Sequence, residues 1–110
     1  MFGKDSPTDL ICTAQTLSGT GALYVGAKFL KKCFTKVPAV LIPDPSWPIH
    51  MMIFENLGFE QRIKYPYYNA KSNSLNFEGI MDCFKTAPDS SIVVLHACAH
   101  NPTGVDPTKE

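Results

Sequence analysis

Three short clusters hold most of the residues able to do chemistry in this chain. In the first, Ser18-Gly19-Thr20-Gly21-Ala22, hydroxyls and small residues stand immediately ahead of a helical pattern. Free N–H groups at a helix start attract anions, and residues without bulk let a phosphate approach. A tight turn with a hydroxyl cap would use the same string. Gly19 and Gly21 also open a dinucleotide-type GxG, with Asp44 near the end of the next strand. The third glycine position holds Tyr24, however, whose ring blocks the close helix–strand packing that motif requires.

The second cluster is Asp44-Pro45-Ser46-Trp47-Pro48-Ile49-His50. An indole there can stack on a planar ring and donate its N–H, or it can simply pack a loop. His50 follows Trp47 by one helical turn and is open to the same two roles. In the third cluster, Ala97-Cys98-Ala99-His100-Asn101-Pro102-Thr103-Gly104, Asn101 both donates and accepts. That suits a phenolic oxygen or a carboxylate, and it also suits a polar turn. His96 and His100 are expected to be structural, satisfied by neighbouring backbone.

The elements between these clusters alternate. Ile11 to Gln15 is a short strand candidate, and the helical spacing from Ala22 onward puts Lys28, Lys31 and Lys32 on a polar side. Val37 to Ile42 is an apolar strand ended by Pro43-Asp44-Pro45. A helix follows over Pro48 to Leu57, with proline in its first turn and Gly58 as its stop. Phe59 to Tyr65 alternates as a half-exposed strand, with Arg62 on the solvated face. The run from Asn69 to Ser74 is a turn, and Phe77 to Thr86 is a helix capped by Asn76. Ser91 to His96 is a continuous apolar strand of the kind buried on both faces of a parallel sheet. Strands separated by helices predict an α/β fold: three layers, a mostly parallel sheet flanked by helices, built from right-handed βαβ units. Parallel strands would then deliver all three clusters to one crevice at their carboxyl ends.

Composition narrows the classes of function. The chain has 110 residues, 45% apolar and 18% charged, enough for one ordinary core rather than disorder. Ten basic residues balance ten acidic ones, so charge supplies no reason to expect nucleic acid or an anionic membrane as partner. No apolar run reaches bilayer-spanning length. Met1 to Pro7 has neither the apolar stretch of a signal peptide nor the bias of a transit peptide. Cys12, Cys33, Cys83 and Cys98 form no CxxC pair, which argues against zinc and for buried, reduced thiols. No metal is expected. The abrupt start, and a loop from Asn101 to Glu110 that opens a helix, suggest a piece of a larger domain.

Longer strings add a resemblance. "QTLSGTGAL", "DPSWPIHMMIFENLGF", "YPYYNAKSNSLNFEG" and "LHACAHNPTGVDPT" together resemble the class I aspartate aminotransferases over nearly all of Phe2 to Glu110. The resemblance implies that residues 1–110 are part of the large domain of a fold-type I transferase that binds pyridoxal 5′-phosphate, with no second domain within the chain. It implies a homodimer acting on dicarboxylate amino and keto acids, in the cytoplasm or alternatively the mitochondrion. By position, Ser18, Gly19 and Thr20 match the phosphate-binding turn, and Trp47 matches the tryptophan stacked on the cofactor and touching substrate. Asn101 matches the asparagine that bonds the cofactor's phenolic oxygen and helps hold a substrate carboxylate. His50 is similar to the histidine supporting the aspartate that partners the pyridine nitrogen. Asp44-Pro45 and Asn101-Pro102 are similar to bonds that are cis in the family.

Tyr24 and Ile49 depart from the family pattern, where arginine and asparagine are usual, and the segment Pro7 to Ile11 looks shortened. None of the nine lysines sits in a motif matching the Schiff-base lysine, so no catalytic residue is assigned within this chain. The single arginine, Arg62, lies outside every motif. The parent protein is therefore expected to exchange the amino group of aspartate with 2-oxoglutarate, and the chain alone to be inactive. Two other readings remain: a truncated, non-catalytic paralogue that binds a partner, and an aromatic amino-acid aminotransferase of the same family.

Overall fold

The computed structural model describes residues 7–34 and 36–108. The expectations for Met1 to Ser6 and for the last two residues, Lys109 and Glu110, lie outside them. A short 3-10 turn, Thr8–Leu10, leads by an irregular segment into helix α1, Ser18–Cys33. Strand β1, Val40–Asp44, is followed by α2, Pro48–Asn56, and by β2, Arg62–Pro66. A hairpin of β3, Tyr68–Asn69, and β4, Ser74–Leu75, precedes α3, Phe77–Thr86, and β5, Ile92–Val93.

The main sheet runs β2-β1-β5, and both pairings are parallel: Val40 opposes Arg62 on one side and Ile92 on the other. The chain moves from β1 outward to β2, then returns past β1 to β5. Because parallel crossovers are right-handed, a reversal of direction must place the connecting helices on opposite faces. That is what the two cores record. Ala27 of α1 and Ile53 and Phe54 of α2 pack with Val40, Ile42 and Val94 on one face. Ile80 of α3 packs with Ala39, Leu41 and Tyr65 on the other. The three-layer α/β expectation holds.

Local chemistry explains the joints. Helix α2 starts on Pro48, which needs no N–H there, and stops at Gly58, whose φ of 72° is left-handed. Gly58 N–H donates to Glu55 O at 2.8 Å and Phe59 N–H to Phe54 O at 3.0 Å, with the Phe54 and Phe59 rings 5.3 Å apart. This is a Schellman ending with its hydrophobic contact. Lys31 of α1 extends its ammonium to Leu57 O and, at 2.6 Å, Gly58 O, adding positive charge at the negative end of α2. Asn76 caps α3 as expected, its Oδ1 accepting from Gly79 N–H at 3.2 Å.

Several expectations are corrected. Ile11 to Gln15 is not a strand, because among the described residues no strand lies beside it to complete a hydrogen-bond ladder. Helix α1 begins at Ser18 rather than Ala22, and β1 begins three residues later than the apolar run. β5 is only two residues long and covered on one face: Val94 is buried while Val93 and Leu95 are 37% and 67% exposed. Arg62 is not a solvated strand residue; its guanidinium donates to Phe59 O and sits 3.6 Å from Glu55, closing the turn from α2 to β2. The thiols are free, but Cys12, Cys33 and Cys98 are exposed and Cys83 half-buried, so burial does not protect them. Among the described residues no helix is long and apolar enough to cross a membrane.

The α2 ending supplies a stability test. A Cβ at residue 58 would lie 2.9 Å from Lys31 Nζ on a left-handed backbone. Gly58→Ala is expected to lower the unfolding free energy by about 1–2 kcal/mol. Urea titration reads this directly, and an unchanged midpoint would show the α2 ending to be dispensable.

Candidate functional site

In an open α/β sheet the ligand crevice forms outside the carboxyl ends of the strands, where neighbouring loops part in opposite directions. Here that place lies between β1 and β5. The loop after β1 carries Asp44 to Trp47 and turns into α2; the loop after β5 carries Leu95 to Asn101. The peptide bonds Asp44-Pro45 and Asn101-Pro102 in these two loops are both cis.

A run of rings joins the loops. The Trp47 ring lies edge-on to His50 at 5.6 Å between centroids, and His50 lies edge-on to His96 at 5.0 Å. His96 is 4.5 Å from His100, which stacks on Tyr67 at 3.7 Å with ring planes 13° apart. Trp47 itself is 37% exposed, so part of its indole surface is free of the core.

Each imidazole is held at one nitrogen. His50 Nδ1 meets Ser46 Oγ at 2.8 Å, and His100 Nδ1 meets Thr103 Oγ1 at 2.7 Å. Asn101 N–H donates to His96 Nδ1 at 3.2 Å, which makes that nitrogen an acceptor and puts the proton of neutral His96 on Nε2. The Nε2 atoms of His96 and His100 are buried without a partner among the described residues. The expectation that both histidines are satisfied by backbone is therefore half right. His96 uses a backbone N–H at one nitrogen, His100 uses a hydroxyl, and each leaves its other nitrogen open.

Burial, with His96 adding to it, lowers the pKa of His50. Burial and the neighbouring His96 also lower that of His100, against a smaller opposite pull from the Asp106 carboxylate. Asp106 is lowered chiefly by the backbone N–H groups of His100 and Ala99 that it accepts. Burial raises Tyr67, whose hydroxyl donates to Val105 O at 2.6 Å.

The structure thus brings Trp47, His50 and Asn101 into one connected group. Asn101 is exposed, and among the described residues no hydrogen bond engages its carboxamide. Ser18, Gly19 and Thr20 form the first turn of α1 on a separate wall. They are exposed, among the described residues no side chain caps that helix end, and Ser18 has a φ of 63°. An open cleft of about 570 Å³ lies over this turn, lined by Ser18, Thr20, Tyr24 and Ile53 among others. No hydrogen bond or ring contact among the described residues links the turn to Trp47 or Asn101. Tyr24 is exposed at the cleft, and Ile49 packs half-buried against the α2 core. Tyr67, Thr103 and Asp106 were not singled out from sequence, although Thr103 lies in the third cluster, Asp106 just beyond it, and Tyr67 in the string "YPYYNAKSNSLNFEG". Among the described residues no group of three His, Cys, Asp or Glu side chains is placed to hold a metal ion.

The strand-end loops carry a part-exposed indole and an exposed carboxamide, and the start of α1 stands apart from them. A family model for aminotransferase class I and II matches residues 6–110, and the chain belongs to that family. The cytoplasmic aspartate aminotransferase of Saccharomyces cerevisiae is 45% identical over 113 residues, covering all of this chain and 27% of that protein. The mitochondrial aspartate aminotransferase of Gallus gallus is 49% identical over 98 residues, covering 89% and 23%. Among solved structures, the aromatic-amino-acid aminotransferase of Burkholderia pseudomallei, covalently bound to pyridoxal phosphate, superposes with a TM-score of 0.86 at 45% identity, covering 97% of this chain and 27% of that one. The chain spans about a quarter of the length of the curated relatives it matches.

Lowered imidazole pKa values make a signed prediction. A base whose folded pKa lies below its unfolded value favours folding while neutral. Its contribution is complete above about pH 6.5 and is lost as pH falls through the lower folded value. The denaturation midpoint should therefore decline as pH falls below about 6.5. His50→Gln should flatten part of that decline; an identical profile would remove His50 from the titrating set.

Proposed function

We propose that the protein containing this chain is a pyridoxal-phosphate-dependent aspartate aminotransferase, and that residues 1–110 form part of its cofactor-binding large domain. The observation that carries this reading is the joining of Trp47, His50 and Asn101 across the β1–β5 crevice by a contact run through His96.

The residues present suit the cofactor. The uncapped start of α1, with the hydroxyls of Ser18 and Thr20 and no side chain in the way at Gly19, provides donors for a phosphate. The half-free Trp47 provides a surface for a pyridine ring, and Asn101 a donor for its phenolic oxygen and for a substrate carboxylate. His50, fixed by Ser46, supports the acidic residue that partners the ring nitrogen. Bound there, the cofactor supplies an aldehyde and an electron-withdrawing ring for amino-group exchange. The residues of this chain bind and orient it, and none of them moves the α-proton of the substrate. Lys64, at the edge of the Trp47 loop, is engaged with Asp44 at 3.3 Å.

The substrates in this reading are aspartate and 2-oxoglutarate, with oxaloacetate and glutamate as products, in a homodimer. The cytoplasmic relatives favour a cytoplasmic location, and the mitochondrial ones mark the alternative. A second reading, an aromatic amino-acid aminotransferase, is favoured by the Burkholderia structure.

Trp47 is the only tryptophan, so its fluorescence reports on the site. Adding pyridoxal 5′-phosphate to the 110-residue chain is expected to quench it saturably, and Asn101→Ala should weaken the affinity about tenfold, or roughly 1.4 kcal/mol. Absence of saturable quenching would count against the reading. The chain alone is expected to show no amino transfer between aspartate and 2-oxoglutarate, and borohydride-sensitive turnover would contradict that.

A further inference from the structure

The loop that presents Asn101 has an internal support that the roles above leave unused. The carboxylate of Asp106 accepts Ala99 N–H at 2.7 Å through Oδ2 and His100 N–H at 2.9 Å through Oδ1. Two consecutive backbone donors can converge on one anion only where the chain forms a concave nest, with one residue left-handed. Ala99 is that residue, at a φ of 52°. Alanine is disfavoured there by roughly 1 kcal/mol, so something must hold it. The rest of the loop closes on the same point. Gly104 N–H donates to His100 O at 2.7 Å, and Thr103 Oγ1 meets His100 Nδ1 while accepting from Val105 N–H at 3.2 Å. Tyr67 pins the far side through Val105 O. Asn101 stands at the apex of this ring of contacts, exposed and with its carboxamide free of hydrogen bonds among the described residues.

We propose that Asp106 is the positioning residue of the ligand site: its ionised carboxylate, seated on the amides of Ala99 and His100, fixes the loop that aims Asn101 into the crevice. The role rests on the aminotransferase reading for what the ligand is, and on the loop geometry alone for the clamp. Asp106 touches no ligand in this scheme and acts through Asn101. The depressed pKa of Asp106 agrees with it, since the two amides favour the charged form. The ionisable groups facing this carboxylate are His96, His100 and Tyr67.

The test uses the full 110-residue chain and two readouts. Amide hydrogen exchange at Ala99 and His100 should accelerate about tenfold or more in Asp106→Asn, while β1 amides keep their protection. Affinity for pyridoxal 5′-phosphate, read by Trp47 fluorescence, should fall several-fold. The double variant Asp106→Asn, Asn101→Ala should bind no more weakly than Asn101→Ala alone, as a residue acting through Asn101 requires. Asp106→Glu, which keeps the charge, should recover part of the loss. Unchanged exchange at Ala99 and His100 overturns the clamp, and additive losses in the double variant overturn the positioning role while leaving the aminotransferase reading intact. No binding by the unsubstituted chain overturns both. If Asp106→Asn loses protection throughout, a titration of the unsubstituted chain decides. The two amide shifts must then follow the Asp106 carboxyl carbon through one midpoint below the ordinary aspartate value, distinct from the imidazole carbons of His96 and His100; separate midpoints overturn the clamp.

Discussion

From Ala39 to Pro43 the central strand turns every side chain into one of two apolar layers, and it can stand only where both layers are supplied. Val40 and Ile42 face α1 and α2; Ala39 and Leu41 face α3 and the tyrosines of β2 and the hairpin. Each fully buried aliphatic side chain contributes about 2 kcal/mol of hydrophobic transfer. A strand buried twice over must also have both hydrogen-bonding edges used, because unpaired peptide groups in such a place are costly. The positions of β2 and β5, and therefore of the loops after β1 and β5, follow from that requirement.

The site is a by-product of this arrangement made precise by local bonds. Covering both faces of β1 forces the chain to reverse direction there, and reversal opens a crevice between its loop and that of β5. Tyr67 is the main connection between the framework and the crevice. Its backbone N–H donates to Asp44 O at 3.1 Å, its ring stacks on His100, and its hydroxyl reaches Val105. Tyr65, one alternation earlier, does a related job below the crevice, donating to Val94 O at 2.8 Å. Two tyrosines of one edge strand and its extension thus fasten the loop segment that follows β5.

Much of this was visible in the sequence wherever a local rule sufficed. Pro48 and Gly58 bracket α2 because both act on their own backbone, and Asn76 announces α3 because its cap bond spans only three residues. Trp47, His50 and Asn101 were singled out for their place in strand-end loops and their match to the resembled family, and the structure joins them in one run of contacts. What escaped needed a partner distant in sequence. Ile11 to Gln15 has a strand's composition but no neighbour among the described residues, and Ser91 to His96 has a buried strand's composition without a second cover for Val93 and Leu95. Arg62 looked like surface until its turn with Glu55 and Phe59 was in place. Asp106 reads as one more loop residue, since nothing in its type tells that two amides six and seven positions earlier point at it.

The pairing of β1 also sets an order of events during synthesis. Val40 lies opposite Arg62 on one side and Ile92 on the other, and both partners leave the ribosome after it. When β1 first emerges, α1 is the one element already made among the described elements that cover it. One face can close once α2 and β2 appear, whereas the face that holds Leu41 waits for α3, and the second edge waits longer still. For that interval the nascent chain exposes its most apolar strand with an unpaired edge, which is the kind of segment that chaperones bind and that self-associates when synthesis stalls.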